Sequence, residues 1–542
     1  MWDCPFRPRT YRPVSKVPRM LQPVNVDDEL VAARLLDFFT SSTPWHRALW
    51  NTGLALTLRE LLEASEAVRA GVLSEDTLKS LGSSCLRLSG PDPGAGDRPR
   101  LQVLQQTLQG RLRYDGLDFH TLSTLAAEIE GDYLKRWANA FGRCEGRPKP
   151  ERTARCVAAH LLDLGFSSDY LHRWWKFRLE HEQTPRTLAD IAEEAHGLAR
   201  KRPQTYQVLV VLLSHPRTRS GYPRDWLDAA RVSHWLKENG FEVAGVRPSG
   251  GLVLNLEARD PGAASQVAGE VVDSLLARAS VGTGDKVEVV QKAWVAGEKE
   301  PFALTRRLRG VRVRALYREN QVYPCPNQNR ILDAAIELLS HLESSSPSAA
   351  VAGGWAAIEA LLSEPNDRGG AAERLAALVA CSFPRAELTV LSYVLEKVDP
   401  SLSALLAQAK ENRDRAAIVA RVIHAGQALS LAKASDRAAA ARMQKLLRQP
   451  RKTLEDIKAH VTDAFARLYR QRNLVLHWGK TDAIALRASL RTAAPLVGAG
   501  MDRIAHGWYV NNVRPIELAA RARVSLATVP DNDIGACVSL LG

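Results

Sequence analysis

Near the carboxyl end of the chain, an arginine, an asparagine and a histidine stand close together. The segment reads Arg467-Leu-Tyr-Arg-Gln-Arg-Asn-Leu-Val-Leu-His-Trp-Gly479, with Arg472 and His477 five positions apart. An imidazole exchanges a proton near neutral pH, and a guanidinium is a permanent cation that binds phosphate oxygens. Together the two groups can activate a ribose 2′-hydroxyl and stabilise charge on a pentacovalent phosphate. Asn473 between them offers an amide that can orient either side chain or a ribose.

A long helix is predicted to carry this cluster, because apolar residues recur upstream at helical spacing: Ile457, Val461, Phe465, Leu468 and Leu476. Residues five apart on a helix are separated by about 140° around its axis. Arg472 and His477 therefore border one side without stacking, and the length of the arginine, or a break near Trp478-Gly479, can close the gap. Unconnected surface residues are the ordinary alternative for such a pair, and the spacing alone leaves both interpretations open.

The order Arg472-Asn473-x-x-x-His477 resembles the Arg-x4–6-His motif of the HEPN-domain ribonucleases, including the asparagine that commonly follows the arginine. Two flanking segments are similar to the ApeA-like HEPN group. Trp355-Ala-Ala-Ile-Glu-Ala-Leu361 looks like its early helix with an acidic residue, and Leu496-Val-Gly-Ala-Gly-Met-Asp-Arg-Ile504 looks like its trailing helix. The resemblance covers residues 330–525, and no family is recognised for residues 1–325.

This resemblance implies a helical-bundle endoribonuclease that works as a homodimer, with two motifs facing each other to form one cleft for RNA. It implies that Arg472 and His477 are catalytic and that Asn473 gives polar support. It further suggests that Arg470 binds RNA and that Glu359 supports the motif structurally. Many such proteins act in prokaryotic antiphage defence or as toxins. The N-terminal region would then sense a phage or host protein trigger, or hold the nuclease off.

A second basic segment holds six arginines between positions 306 and 318. Val311-Arg-Val-Arg-Ala-Leu316 alternates, so a strand would place Arg312 and Arg314 on one face, where both could bind RNA phosphates. A solvated edge strand protected by charge is the alternative. The chain has 73 Lys and Arg against 60 Asp and Glu, a net charge of +13. That excess attracts polyanions, although arginine-rich genomes produce it without functional meaning.

Length and periodicity predict a mainly α, multidomain protein, since 542 residues correspond to about three or four domains. We expect a basic Pro/Arg-rich arm at 1–25, a helical region at 26–203, an α/β domain at 204–320 and a HEPN-like helical bundle at 326–542. The middle region reads β-α-β-β-α-β, with strands at 206–213, 241–247, 252–258 and 286–295. This order matches a ferredoxin-like fold, which hosts many functions and identifies none.

Several site types are disfavoured by the sequence. We find no phosphate-binding Gly-rich loop, no Gly-x-Ser-x-Gly elbow and no His-Glu-x-x-His, which argues against an ATPase, a serine hydrolase and a zincin. Cys144, Cys156, His160 and His172 lack the paired spacing of a zinc site, so buried thiols and packed histidines are expected. We predict no metal and no cofactor. The apolar run at 206–213 is too short for a membrane span and the start lacks a signal-peptide pattern, so a cytoplasmic protein is expected.

Three functions remain open at this point. The first is a metal-independent endoribonuclease effector with a regulatory N-terminal region. The second is a non-catalytic RNA- or protein-binding HEPN module. The third is a DNA-binding regulator, because Thr187–Arg200 resembles the start of a helix-turn-helix, although an ordinary amphipathic helix explains the same pattern. The presence of the arginine, asparagine and histidine together favours the first.

Overall fold

Helices dominate the part of the chain that the structure describes. A computed structural model describes residues 26–541, except 41, 91, 144–147, 181–186, 215–224, 243–247, 285, 305–307, 324–329, 366, 368 and 532. The predicted arm at 1–25 lies outside the described residues. The mainly α prediction is confirmed, since 21 α-helices and a five-stranded sheet are described.

Eight helices precede the sheet: α1 Val26–Phe39, α2 Leu54–Arg69, α3 Glu75–Ser89, α4 Arg98–Gln109, α5 Leu117–Phe141, α6 Pro150–Asp163, α7 Ser168–Glu180 and α8 Leu188–Arg200. Helix α8 begins with a capping box, in which Thr187 and Asp190 bind each other's backbone N–H groups. The chain then enters a strand at Gln204 instead of a second helix. The helix-turn-helix interpretation is therefore wrong, and the amphipathic helix is confirmed.

The middle region consists of β1 Gln204–Leu212, β2 Trp226–Asp228, α9 Ala229–Glu238, β3 Gly250–Ala258, α10 Pro261–Thr283, β4 Val289–Val295 and β5 Phe302–Ala303. The sheet order is β2-β3-β1-β4-β5, and every pairing is antiparallel. Three predicted strands, at 206–213, 252–258 and 286–295, correspond to β1, β3 and β4. Of the strand predicted at 241–247, residues 243–247 lie outside the described part.

The two helices of this α/β unit cover opposite faces of the sheet. Val208, Val210 and Leu212 pack with α10, whereas Leu209 and Val211 pack with α9. A ferredoxin-like sandwich keeps both helices on one face, so the ferredoxin-like prediction is wrong in this respect. The physical reason is that β1 is a continuous apolar run, as expected for a strand buried on both faces.

Eleven helices follow the sheet: α11 Arg314–Arg318, α12 Arg330–Ser344, α13 Pro347–Leu362, α14 Gly370–Val398, α15 Pro400–Gln408, α16 Asn412–His424, α17 Ala434–Arg448, α18 Pro450–Trp478, α19 Leu486–Asn511, α20 Pro515–Thr528 and α21 Ile534–Val538. By length and composition α14 could cross a membrane, but 72% of its apolar window is buried inside the protein. It therefore packs as a core helix.

One hydrophobic core joins the helices before the sheet to those after it. Buried side chains from both regions, such as Trp137 and Phe465, belong to the same cluster, while the sheet has two small cores of its own. Val311 and Ala315 also belong to the shared cluster. The α/β unit therefore ends near Leu304, earlier than the predicted boundary at 320, and residues 26–203 are not a separately packed region.

Buried ion pairs also join the helices before the sheet to those after it. Arg47 donates to Glu387 at 2.6 Å and to Asp436 at 2.8 Å, and Arg442 donates to Glu387 at 2.8 Å. Burial alone raises the pKa of the Glu387 carboxyl, but Arg442, His46 and Arg47 together lower it to about 2. Burial lowers the pKa of the adjacent His46 to about 4. Both groups therefore favour the folded state in the forms they have at neutral pH.

Candidate active site at the end of α18

The predicted motif lies in the last turns of α18, the helix Pro450–Trp478. Gly479 ends this helix with a φ of +69°, a left-handed conformation that glycine adopts without a side-chain clash. The backbone N–H of Lys480 then donates to the carbonyl of Leu474 at 3.0 Å. The helix is continuous through His477, so no break near Trp478-Gly479 is needed to assemble the motif.

Packing of α18 agrees with most of the predicted apolar stripe. Val461, Phe465 and Leu468 are fully buried. Leu476 is 51% exposed, so its assignment to the stripe is wrong: it lies on the outer face of the last turn, whereas Leu474 and Val475 are buried. On the other side, the ring of Tyr469 packs against Trp355 of α13 with centroids 4.8 Å apart. The helix is therefore fixed in the core, while its final turn is open.

The three predicted catalytic residues form one hydrogen-bonded cluster. Nη1 of Arg472 donates to Oδ1 of Asn473 at 3.0 Å and to Nε2 of His477 at 2.9 Å. Asn473 is buried, Arg472 is half-buried and His477 is exposed. The length of the arginine side chain closes the angular gap between positions 472 and 477. The structure thus brings together the groups that the sequence singled out.

This hydrogen bond engages one ring nitrogen of the imidazole. A guanidinium has only donors, so Nε2 of His477 is the acceptor in this contact. The lone pair that would act as a base is therefore engaged by Arg472.

Arg470 has a different role from the one predicted. It is 4% exposed, and its Nε and Nη2 atoms donate to Oε1 of Glu60 at 3.0 and 2.8 Å. Arg467 donates to the other oxygen of Glu60 at 2.8 Å. Because positions 470 and 472 are about 200° apart around the helix, Arg470 faces the core. The prediction that Arg470 binds RNA is wrong for this conformation, in which its guanidinium is enclosed.

Sequence reasoning missed the two carboxylates of α2 that hold the motif helix. Burial alone raises the pKa of Glu60, but Arg467 and Arg470 bring it below its ordinary value. Both oxygens of Glu63 accept from the N–H of Ile484 at 3.2 Å, and Lys480 Nζ lies 3.1 Å from Glu63. The sequence did contain a sign of this contact. Both acids fall among the buried positions of an amphipathic helix, where a carboxylate requires a cationic or N–H partner.

A groove of about 1030 Å³ lies beside this contact, between α2, α5 and the loop after α18. It is lined by equal numbers of basic and acidic residues: Arg59, Arg100, Arg200, Arg259 and Lys480, with Glu63, Glu66, Glu128, Glu130 and Asp132. Neither Arg472 nor His477 lines it. With no excess of positive charge, this groove does not suit an RNA backbone.

Glu359 is not joined to the motif. It lies half-buried on α13, one turn beyond Trp355. Among the described residues, no hydrogen bond or ion pair connects its carboxylate to Arg472 or His477. Its helix nevertheless packs on α18 through Trp355, so the support that reaches the motif from α13 is apolar packing instead of a carboxylate.

The predicted arginine strand is absent from the described residues. Residues 311–313 have no regular structure, and Arg314 begins the short helix α11. Instead of joining a sheet, the backbone crosses α19 at Gly498, where an added Cβ would lie 2.5 Å from the N atom of Arg312. Arg312 pairs with Glu343, and Arg314 is exposed. The two arginines therefore do not form a one-sided row.

Two of the cysteine and histidine candidates are packed inside the N-terminal helices. Cys156 and His160 are buried, and the His160 ring stacks on Tyr133 with centroids 4.5 Å apart. Burial lowers the pKa of His160 to about 3 and raises that of Cys156. Within the described part of the chain, no three potential ligands are grouped in a way that would hold a metal ion. Cys144 lies outside it.

No protein-family model, no curated protein and no solved structure matches this chain. The resemblance to the HEPN ribonucleases therefore depends on the motif and its flanking helices. The motif lies on α18, and its two flanking segments lie on α13 and α19.

Proposed function

We propose that this protein is a metal-independent endoribonuclease of the HEPN type, with Arg472 and His477 as catalytic residues and Asn473 as polar support. The observation that carries the proposal is the hydrogen-bonded cluster of these three side chains at an open helix end. RNA brings its own nucleophile, the 2′-hydroxyl. A base and a cation held next to each other therefore supply two of the groups that transesterification needs, and a facing motif supplies the acid.

The resting hydrogen bond suggests how the substrate starts the reaction. A phosphate anion is a stronger acceptor for a guanidinium than a neutral imidazole, so RNA draws Arg472 away and frees Nε2 of His477. Nε2 takes the 2′-hydroxyl proton, the 2′-oxygen bonds to phosphorus and the bond from phosphorus to the 5′-oxygen breaks. A protonated imidazole of the facing motif returns a proton to that oxygen. The products are a 2′,3′-cyclic phosphate and a 5′-hydroxyl end.

A homodimer through the HEPN bundle would supply the facing motif. Leu476, next to His477, is 51% exposed, and Ile484 in the following loop is 38% exposed. The exposed Leu476 is the apolar contact that such a dimer would cover next to His477. The proposal is a cytoplasmic defence or toxin effector that cuts RNA as this homodimer.

The N-terminal helices contact the helix that carries the motif, so a change in their position would reach the motif. Helix α2 holds α18 through Glu60 and the loop after it through Glu63. A phage or host protein that shifts α2 would move both contacts, and these lie within one or two turns of Arg472 and His477. We therefore place the trigger on the N-terminal helices.

One observation favours a non-catalytic RNA- or protein-binding module instead. Nε2 of His477 is occupied by Arg472, which is compatible with a pair that only binds. The two functions differ in a single respect, whether RNA is cut, so one experiment separates them.

The test incubates the purified full chain with end-labelled RNA in excess EDTA. Wild type should produce 2′,3′-cyclic phosphate ends and leave a 2′-O-methyl RNA intact. His477→Ala and Arg472→Ala should each lower the cleavage rate by about 100-fold or more, whereas Arg521→Ala, at an exposed arginine elsewhere, should not. Both variants cutting like wild type would refute the site. RNA binding without cleavage, and no loss of toxicity or phage restriction in bacteria expressing His477→Ala, would favour the binding module.

A further inference from the structure

The groove between α2, α5 and the loop after α18 lies where three parts of the molecule meet. Its lining comes from the helices before the sheet, from Arg259 of the α/β unit and from Lys480 and Ile484 of that loop. Nε and Nη1 of Arg259 donate to the carbonyls of Leu164 at 3.2 Å and Ala199 at 3.1 Å, and these two residues line the groove as well. A ligand in the groove would therefore contact all three parts at once.

A kink in α5 forms one wall of this groove. Asp132 has non-helical angles inside the helix, with φ −119° and ψ 15°, and it lines the groove together with Gly131. Nη2 of Arg136 donates to the carbonyls of Glu128 at 3.2 Å and Ile129 at 2.8 Å, so a side chain binds the backbone next to the kink. An added Cβ at Gly131 meets nothing within 4 Å. The wall is therefore open to an incoming chain.

The charges in the groove are of both signs and are accessible. Arg59 lies 3.4 Å from Glu130, and their side chains are 49% and 30% exposed. Exposed ion pairs of this kind contribute little to stability, so a ligand can replace either partner. Arg200 and Asp132 are exposed, and neither has a hydrogen bond or an ion pair with another described residue. The groove thus offers both a cation and an anion to a ligand.

Apolar side chains lie among these charges. Leu62, Phe119 and Ile484 line the groove, and each is partly exposed. The ring of Phe119 packs against Tyr114 with centroids 5.0 Å apart. Interfaces between proteins combine apolar contacts with a polar rim, whereas small-molecule sites are lined mainly by apolar groups. Because the acidic side chains also repel phosphates, the mixed lining favours a polypeptide as the ligand.

We propose that this groove binds an extended polypeptide segment of a partner protein, in which an apolar side chain is flanked by residues of both charges. The apolar side chain contacts Leu62, Phe119 and Ile484. The charged neighbours pair with Arg200 and Asp132. The N–H and C=O groups of an extended segment find acceptors and donors among the carboxylates and guanidinium groups of the lining.

A segment bound here also reaches the loop that follows the motif helix. Nζ of Lys480 lies 3.1 Å from Glu63 and 3.9 Å from Glu66, and all three residues line the groove. A carboxylate of the partner that competes for Lys480 would loosen this loop, three residues after His477. Regulation of cleavage by the bound segment rests on the proposed function, whereas binding itself does not.

The test selects ligands for the full chain carrying His477→Ala from a phage-displayed library of short random peptides. The selected peptides are synthesised, and their dissociation constants are measured by calorimetry. They should carry an apolar residue between an acidic and a basic one. Ala127→Trp, at an exposed position in the lining, and the charge reversal Asp132→Arg should each weaken binding about tenfold or more. Ala230→Trp, at an exposed alanine of α9 outside the lining, should not.

Four results would overturn the proposal. They are no enriched peptide, selected peptides of a single charge sign, equal binding of the peptides by Ala127→Trp, and binding of single-stranded RNA that Ala127→Trp abolishes. The melting temperature of each variant checks that it is folded.

Cleavage is measured separately with His477 intact, with and without a selected peptide. Binding of the peptide by a chain that cuts no RNA would refute the nuclease and leave the groove proposal standing. Cleavage by a chain that binds no peptide would do the reverse. A cleavage rate that the bound peptide leaves unchanged would refute the regulatory link alone.

Discussion

Two arginines on α18, two residues apart, have opposite surroundings. Arg470 is enclosed, with its guanidinium bound to the buried carboxylate of Glu60. Arg472 is half-buried at an open helix end, and its partners in the site are Asn473 and His477. The residue type is the same, so the difference comes from the helix face. On the inner face, Arg470 stabilises the fold through its ion pair with Glu60. On the outer face, Arg472 is accessible, as the proposed phosphate contact requires.

The largest change in stability is expected from Glu60→Gln. Arg467 and Arg470 would lose the carboxylate they share, and removing one member of a buried ion pair costs about 3–5 kcal/mol of the free energy of unfolding. Urea denaturation measures this directly. Arg472→Gln is the matched control and should cost less than about 1 kcal/mol. Equal losses for the two variants would contradict the division between the faces.

Acid should weaken the buried ion pairs around Glu387, which are intact at neutral pH. The folded-state pKa values of Glu387 and His46, about 2 and about 4, lie below their ordinary values of 4.5 and 6.5. The unfolded chain therefore binds more protons, so stability is full above pH 6.5 and is lost as the pH falls through 6.5 to 4 and then to 2. The expected loss is about 3 kcal/mol for each group, since one pKa unit corresponds to about 1.4 kcal/mol.

Melting temperatures between pH 7 and pH 3 check this expectation. Glu387→Gln is the control, since it removes the carboxylate and should flatten the part of the curve below pH 4.5. A melting temperature that stays constant from pH 7 to pH 4 would show that these groups do not hold the junction.

Arg472→Lys should separate charge from shape at the outer face. Lysine keeps the positive charge but lacks the planar guanidinium, which donates to Asn473 and His477 and which, in the proposed reaction, binds a phosphate. We expect the protein to fold normally and the cleavage rate to fall on the order of tenfold, or about 1.4 kcal/mol. The same exchange at Arg470 should lower stability instead of rate. Cleavage rates and urea denaturation, measured on both variants, test whether the first exchange changes only the rate and the second only the stability.

The smallest effect is expected at the end of α18. Gly479→Ala forces a residue with a side chain into a φ of +69° and should cost about 1 kcal/mol. Gly197→Ala, inside α8 where an added Cβ meets nothing within 4 Å, should instead stabilise by up to about 1 kcal/mol. Thermal unfolding of both variants reveals the opposite signs. Destabilisation at both positions would point to a shared cause other than backbone conformation.

Local patterns explain which parts of this structure were predictable. Helix periodicity and the spacing of Arg472 and His477 are local. The periodicity predicted α18, and the spacing allowed the contact between the two side chains that the structure shows. The partner of Arg470 is 410 residues away, and no local pattern encodes that contact. Likewise, the alternation around Arg312 suggested a strand. The backbone instead crosses α19 at Gly498, and no residue near Arg312 in the sequence indicates that distant contact. The apolar run of β1 did contain the information that both sheet faces are covered.

The shared core has a consequence for how such a protein is switched on. Buried arginines of α18 depend on Glu60, and the α2 helix that carries it packs in the same hydrophobic cluster as α18. Proteolysis between the two regions would leave the C-terminal fragment with uncompensated charges and bare apolar surface, which favours aggregation over release of an active enzyme. For the proposed nuclease, this predicts activation within the intact polypeptide, by a displacement of its helices.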